Sequence, residues 1–202
     1  MKLYYSPGAC SLSVHIALHE AGMTFTPIKA PTKTHKLDDG TDYYSINPLG
    51  YVPLLELDDG SRLMEAPALL QYIADQVPGK HLAPANGTVA RAQVNGWLNF
   101  ISSELHKNFA PLFSPLTPAD YKPVVTEKLL SRFKWTDEQL AGKQYLVGDT
   151  FSVADIYLFN VSNWAQGVKL DISGFANITA FRAHMAQRPA VLTAMRTEGL
   201  TT

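Results

Sequence analysis

The chain has little cysteine and almost no excess of charge. It contains one cysteine in 202 residues, and 17 Lys and Arg against 18 Asp and Glu leave a formal net charge of -1. A single thiol excludes an internal disulfide and a thiolate-rich zinc site. Balanced charge gives no electrostatic reason to expect nucleic acid or an anionic membrane as a partner. A small neutral or zwitterionic ligand fits this composition better.

Long apolar runs are also missing. No stretch approaches the roughly 18 apolar residues of a membrane span, and the first five residues, MKLYY, lack the apolar centre of a signal peptide. We therefore expect a cytoplasmic protein that does not enter a membrane. A reducing compartment agrees with a single free thiol. We expect no metal cofactor.

The first half of the chain alternates strand-like and helical patterns. Strands are predicted at 2–6, 24–30, 54–57 and 62–65, and helices at 11–21 and 67–76. The sequence Asp58-Asp59-Gly60 between the last two strands is typical of a tight antiparallel hairpin, because it tolerates positive φ angles. The order βαβ-ββα predicts a small mixed sheet with helices over residues 1–78.

The second half of the chain has only helical patterns. Residues 79–87 lie in a stretch rich in proline and glycine, which predicts a linker. Beyond it, helices are predicted at 88–111, 118–141, 153–166, 177–187 and 190–197. Ser152, with Asp155 three residues later, predicts a capping box at the start of the third of these helices. We expect an all-helical domain over residues 88–202.

The only cysteine, Cys10, directly precedes the helix predicted at 11–21. Unpaired N–H groups and the helix dipole favour negative charge there and can lower the pKa of a thiol, so the position suits a reactive sulfur. A small buried hydrophobic residue is an equally good interpretation of the position alone. Because Cys10-Ser11-Leu12-Ser13 lacks a second thiol, any redox chemistry needs an external one.

A proline, Pro53, stands just before the strand predicted at 54–57. Proline cannot donate a hydrogen bond within a sheet, so this is an unusual position. A cis peptide between Val52 and Pro53 would explain it, and an ordinary trans proline at the start of a strand is the alternative.

These motifs together resemble a known family. Cys10 at the first βα turn, Asn47-Pro48-Leu49-Gly50-Tyr51-Val52-Pro53, and Met64-Glu65-Ala66 resemble the thioredoxin-like N-terminal domain of the glutathione transferases. Gly148-Asp149-Thr150-Phe151-Ser152-Val153-Ala154-Asp155 resembles the capping segment of their helical domain, so the resemblance covers essentially the whole chain. Cys10 with Glu104-Leu105-His106-Lys107 most resembles the bacterial beta class.

The resemblance implies a function and partners. It implies a homodimeric detoxification enzyme, a glutathione S-transferase that joins glutathione, its co-substrate, to small electrophiles. Two roles for Cys10 stay open: it hydrogen-bonds the glutathione sulfur together with His106, or it forms a mixed disulfide with glutathione that a second glutathione resolves. The alternative function is a non-catalytic ligand carrier or interaction module with the same fold.

The resemblance also implies which residues of the first half bind glutathione. Val52, next to Pro53, would pair with the cysteinyl backbone, while Glu65 and Ala66 would meet the γ-glutamyl group. The family usually has a serine or threonine where this chain has Ala66. Because Ala66 is a poor N-cap for a helix that begins at Pro67, we expect the ligand carboxylate to act as the cap. His35 is expected to hold the glycine carboxylate, with Lys33 and Lys36 as alternatives.

The second half contributes a polar stripe. Asn99, Ser103, His106 and Lys107 share one face of a continuous helix, a pattern that by itself favours a solvated surface. The resemblance implies that His106 faces the glutathione sulfur and that Lys107 binds a carboxylate. It also assigns Trp164 to the ligand pocket, and residues 109–113 are candidates for the electrophile site. Tyr4 and Tyr5 are predicted to be structural, since tyrosine is a good strand former.

Overall fold

The computed structural model describes residues 1–200 and divides the chain into two units. One unit consists of Met1–Ala83 and the segment that begins at Ala186, and the other of Pro84–Met185. The C-terminal segment, which was predicted to belong to the helical half, therefore belongs with the first unit.

The first unit is built on a four-stranded mixed sheet. Its strands are β1 (Lys2–Tyr5), β2 (Thr26–Lys29), β3 (Leu54–Glu56) and β4 (Arg62–Met64), in the order β2-β1-β3-β4. Strand β1 is parallel to β2 and antiparallel to β3, and β3 forms the predicted antiparallel hairpin with β4. The helices are α1 (Ser11–Ala21) and α2 (Ala66–Gln76), which confirms the predicted βαβ-ββα order.

The C-terminal segment is attached to the first unit by polar contacts with α1 and the loop before it. It carries a helix that we number α8 (Pro189–Thr197). Beyond this helix, the Glu198 carboxylate accepts from the Gly8 N–H at 2.9 Å and lies 2.8 Å from His15 Nδ1. Arg188, before the helix, donates two hydrogen bonds to the Glu20 carboxylate. These contacts explain why the segment groups with residues that are far away in the sequence.

The second unit contains helices and, within the part of the chain that the structure describes, no strand. The helices are α3 (Val89–Phe100), α4 (Lys107–Phe113), α5 (Tyr121–Gln139), α6 (Val153–Gly167) and α7 (Ala176–Ala186). A π-helical segment, Ile101–His106, joins α3 to α4. The helix predicted at 88–111 is therefore present, but its α-helical spacing is interrupted, because a π turn takes in an extra residue and changes which side chains share a face. Among residues 1–200 no helix is both long and apolar enough to cross a membrane.

The capping box predicted at the start of α6 is confirmed. The backbone N–H and the hydroxyl of Ser152 both donate to the Asp155 carboxylate, at 2.8 and 3.0 Å, and the Leu146 N–H donates to it at 2.8 Å. Asp155 is fully buried, and burial raises its pKa to about 6 despite these three donors. The cap fixes the first turn of the helix that carries Tyr157 and Trp164.

Candidate functional site

Cys10 lies at the N-cap position of α1 and is half-buried. Its Sγ donates a hydrogen bond to the backbone carbonyl of Val52 at 3.0 Å. The peptide between Val52 and Pro53 is cis, the first of the two alternatives that the sequence left open. The structure thus brings together three of the residues predicted for the site: Cys10, Val52 and Pro53.

The environment of Cys10 keeps its thiol protonated. Burial raises its pKa to about 12, and the negative charge of Glu65 adds to the increase. The backbone N–H groups of Cys10 and Ser11 act in the opposite direction, as expected at a helix start, but their effect is smaller. Of the two interpretations that the sequence left open, the raised pKa favours a buried neutral thiol, which acts as a hydrogen-bond donor.

The loop before Val52 is fixed by two side chains for which the sequence predicted no role. The Tyr43 hydroxyl and the Asn47 side-chain amide both donate to the carbonyl of Tyr51, each at 2.8 Å. The Asn47 side chain also accepts from the Leu49 N–H at 3.1 Å. Asparagine before a proline is a turn signal that could have identified Asn47, whereas nothing local marks Tyr43.

Glu65 and Ala66 lie where β4 passes into α2. Helix α2 begins at Ala66, one residue earlier than predicted, so the N-cap residue is Glu65 and not Ala66. Glu65 is exposed, has a φ of 70°, and makes no side-chain capping bond. A positive φ in a residue other than glycine is strained and is concentrated at functional sites. The start of α2 therefore lacks a side-chain acceptor, which leaves it suited to a carboxylate ligand.

Among the three candidates for the glycine carboxylate, His35 is the one held by packing. It is half-buried, whereas Lys33 and Lys36 are exposed. Its ring lies 4.5 Å from that of Tyr44, and a Cβ at Gly50 would come within 2.9 Å of it. Its Nδ1 is buried and has no hydrogen-bond partner within residues 1–200.

His106 is the most constrained polar residue of the predicted helix stripe. It is half-buried in the second unit, where its Nδ1 lies 2.6 Å from the Tyr157 hydroxyl. Its ring packs edge-on against Trp164 at 4.7 Å. Burial, assisted by the positive charge of Lys107, lowers its pKa to about 4, so the imidazole is neutral at pH 7.

The other three residues of the stripe, Asn99, Ser103 and Lys107, are exposed. The Ser103 hydroxyl donates to the Asn99 carbonyl at 3.0 Å, so part of the polarity is used within the helix. His106 differs from these three residues because it is half-buried and packs against Tyr157 and Trp164.

An aromatic cluster surrounds the predicted pocket residue Trp164. Phe109 and Phe113 each meet the Trp164 ring edge-on, at 5.7 and 5.8 Å. Phe109 is fully buried, while Phe113 is 53% exposed. The cluster presents a partly open apolar surface in the second unit beside His106.

The two predicted tyrosines of β1 are packing residues. Tyr4 belongs to the core cluster that includes Tyr43 and Val52, and Tyr5 packs against the ring of His15. Both are buried, and burial raises the pKa of each hydroxyl. This agrees with the structural role predicted for them.

Comparison with known proteins identifies both halves of the chain. A family model described as the glutathione S-transferase N-terminal domain matches residues 8–76, and one described as the C-terminal domain matches residues 100–189. The chain is 45% identical to glutathione S-transferase GstA of Escherichia coli O157:H7, over 99% of this chain and all of that protein.

Solved structures agree in fold over the full length. A ternary complex of BphK, a bacterial glutathione transferase, is 52% identical and superimposes with a TM-score of 0.97, covering 99% of this chain and 100% of that one. A beta-class enzyme of Sphingomonas chungbukensis is 44% identical, with a TM-score of 0.96 and complete coverage of both chains. The predicted thioredoxin-like and helical halves are thereby confirmed, and the chain belongs to the glutathione S-transferase family.

Proposed function

We propose that this protein is a glutathione transferase that binds glutathione beside Cys10 and joins its sulfur to small electrophiles. The observation that carries the proposal is the 3.0 Å hydrogen bond from Cys10 Sγ to the Val52 carbonyl. It puts a sulfur-bearing donor at the backbone group expected to pair with the cysteinyl residue of a bound peptide. A solved relative that is 44% identical is a glutathione complex, which supports the same ligand here.

In this mechanism Cys10 and His106 are neutral donors to the glutathione sulfur, and the single S–H of Cys10 turns from the Val52 carbonyl to that sulfur when glutathione binds. Donors that are oriented before the reaction stabilise a developing or existing anion without having to reorganise. Burial keeps the Cys10 thiol protonated and His106 neutral, so each can donate a hydrogen bond to a thiolate. A neutral Cys10 also adds no second negative charge next to the glutathione thiolate. The glutathione thiolate then attacks the electrophile.

The remaining predicted residues receive roles in binding. Val52 pairs with the peptide backbone beside Pro53, Glu65 accepts from the γ-glutamyl ammonium, and the N–H groups at the start of α2, from Ala66 on, bind the γ-glutamyl carboxylate. His35 and Lys107 bind carboxylates of the tripeptide, and Asn99 and Ser103 make polar contacts with it. The apolar electrophile is bound by three aromatic side chains, Trp164, Phe109 and Phe113.

Three properties complete the proposal. The enzyme acts in the cytoplasm, its role is detoxification, and it works as a homodimer. Leu49 and Tyr51 support the last point, because they are 60% and 67% exposed on a loop whose backbone is fixed by Tyr43 and Asn47. Sedimentation of the wild type and of Tyr51→Ser tests it. A monomeric wild type would refute the dimer.

The role of Cys10 is tested with Cys10→Ser and Cys10→Ala in a chromogenic conjugation assay and in a disulfide-reduction assay. The serine variant keeps a neutral donor, so we expect it to retain conjugation better than the alanine variant. Equal conjugation by both variants, with loss of disulfide reduction, would assign the thiol to exchange instead. Mass spectrometry after treatment with oxidised glutathione then shows whether a mixed disulfide forms on Cys10.

The conjugation assay also tests the activity as a whole. A wild-type protein that is retained on immobilised glutathione but conjugates no electrophile would favour the ligand carrier over the enzyme.

A further inference from the structure

Tyr157 in α6 is a fully buried tyrosine whose hydroxyl meets the ring of His106, 51 residues away. The oxygen lies 2.6 Å from His106 Nδ1, and the two rings are nearly perpendicular at an interplanar angle of 81°. Within residues 1–200, this is the single hydrogen bond of the His106 ring.

Two tautomers of a neutral His106 fit the 2.6 Å contact, because either the Tyr157 hydroxyl or His106 Nδ1 can carry the shared hydrogen. Hydroxyl donors generally come closer to their acceptors than N–H donors do, so a contact this short favours the Tyr157 hydroxyl as the donor and His106 Nδ1 as the acceptor. A neutral imidazole that accepts at one nitrogen carries its hydrogen on the other, so the proton lies on Nε2. The lowered pKa of His106 agrees with a neutral ring.

One further contact restricts the ring, and a hydrogen bond supports the helix backbone next to it. Trp164, on the same helix as Tyr157, packs against it at 78° and 4.7 Å. The π segment that ends at His106 is supported by Asn108, whose side-chain amide donates to the Glu104 carbonyl at 2.8 Å. The orientation of the imidazole is thus determined by side chains of α6 and by the π turn.

We propose that Tyr157 is a positioning residue: its hydroxyl holds the His106 ring by Nδ1 and leaves Nε2–H as the donor that the ring offers to a ligand. For catalysis, the inference rests on the proposed function, in which that donor hydrogen-bonds the glutathione sulfur. Tyr157 itself touches neither substrate nor product in this role.

The test begins with nitrogen NMR of ¹⁵N-histidine-labelled protein without ligand, with the His106 signals assigned by their loss in His106→Asn. We expect wild-type His106 to be protonated on Nε2 and unprotonated on Nδ1. The hydrogen bond that Nδ1 accepts should shift its ¹⁵N resonance away from that of a free unprotonated nitrogen. In Tyr157→Phe this change in chemical shift should disappear. A wild-type proton on Nδ1, or an unchanged Nδ1 signal in Tyr157→Phe, would overturn the proposal whatever the enzyme catalyses.

A matched control removes a tyrosine–histidine contact elsewhere in the same unit. The Tyr145 hydroxyl lies 3.2 Å from His184 Nε2, so Tyr145→Phe makes the same chemical change. We expect this control to leave the His106 signals and the conjugation rate unaltered. If Tyr145→Phe alters the His106 signals as Tyr157→Phe does, the change in the signals comes from a nonspecific disturbance of the second unit, and the proposal fails.

Kinetics then tests the catalytic consequence. We expect Tyr157→Phe to lower kcat by about five- to tenfold, roughly the effect of one neutral hydrogen bond, with little change in KM for glutathione. An altered Nδ1 signal with an unchanged kcat would overturn the catalytic part. If the wild type shows no conjugation, the proposed function fails, whereas the NMR result still decides the positioning role.

Discussion

The two units hold their principal polar side chains in different ways. In the first unit Cys10 donates to a backbone carbonyl, and the loop before it is attached through the Gly8 N–H to a carboxylate 190 residues further along the chain. In the second unit His106 is held by side chains, the hydroxyl of Tyr157 and the ring of Trp164. Burial keeps both side chains neutral. The same protonation state is therefore reached where the backbone holds the group and where side chains hold it.

This difference indicates what each site depends on. A backbone-held group tolerates changes in the side chain that supplies the carbonyl, but it depends on whatever fixes the loops. A group held by side chains depends on the identity of its neighbours. The supports of the two sites can therefore be removed one at a time, and so can the groups that control ionisation and ligand binding.

The largest effect is expected from Asp155→Ala in the second unit. The change leaves the buried N–H groups of Leu146 and Ser152 without their acceptor and removes the cap of α6. We expect the free energy of unfolding to fall by about 3 kcal/mol in urea denaturation. Asp171 is the control, since it accepts from Ser173 in a similar way but is exposed, and Asp171→Ala should cost less than about 1 kcal/mol. Equal losses would show that burial of the cap does not matter.

A somewhat smaller loss is expected from Glu198→Ala in the first unit. It removes the acceptor for the Gly8 N–H and the partner of His15, both at a fully buried carboxylate. We expect a loss of about 2 kcal/mol in the free energy of unfolding, together with a change in Cys10 reactivity, because the loop before Cys10 is released. Glu20→Ala, which breaks the more exposed pair with Arg188, serves as the control. If only the control altered Cys10 reactivity, Glu198 would not be a support of the site.

The ionisation of Cys10 predicts slow alkylation. A thiol with a pKa raised to about 12 contains less thiolate at every pH from 6 to 9 than a free cysteine, whose pKa is about 8.5. Iodoacetamide should therefore label Cys10 at least about tenfold more slowly than N-acetylcysteine, with a rate that still rises at pH 9. Mass spectrometry of the labelled fraction measures this. A rate that levels off near neutral pH would mean a thiolate at the helix start after all.

His106 should make the protein less stable in acid. Its pKa is lowered to about 4 from an ordinary 6.5, so between these values the unfolded chain binds more protons than the folded one, and stability falls as the pH falls. We expect the free energy of unfolding of His106→Asn to fall by about 2 kcal/mol less than that of the wild type between pH 6.5 and pH 4.5. Asp155, whose raised pKa acts in the opposite direction, is present in both proteins and cancels in the difference. Parallel stability curves would contradict the lowered pKa.

The smallest effect is expected at the start of α2. Helix α2 has no side-chain cap, and Ala66 supplies no hydroxyl there. We expect Ala66→Ser to tighten glutathione binding by about 1 kcal/mol, the net contribution of one added hydrogen bond. Calorimetric titration measures this, with Ala68→Ser, an exposed position of the same helix, as the control. Unchanged or weaker binding in Ala66→Ser would refute the expectation.

Local patterns in the sequence were sufficient for most of the secondary structure and for the outline of the site. The range predicted for α1, 11–21, agrees with the structure, and the hairpin and the capping box of α6 were found from a few adjacent residues. These features depend on backbone preferences and side-chain contacts within a turn or two, which neighbouring residue types determine. The motifs around Cys10, Val52 and Glu65 likewise pointed to the family.

Only the tertiary structure decided the chemistry of the two principal side chains. The sequence left a reactive sulfur and a buried neutral residue as equal interpretations of Cys10, and it placed His106 on a polar helix face. The structure has a protonated thiol, a π turn, and supports from Glu198 and Tyr157 that no local signal marks. The physical reason is that desolvation and hydrogen bonds between distant segments depend on which parts of the chain the fold brings together, whereas helix starts and turns depend on neighbours along the chain.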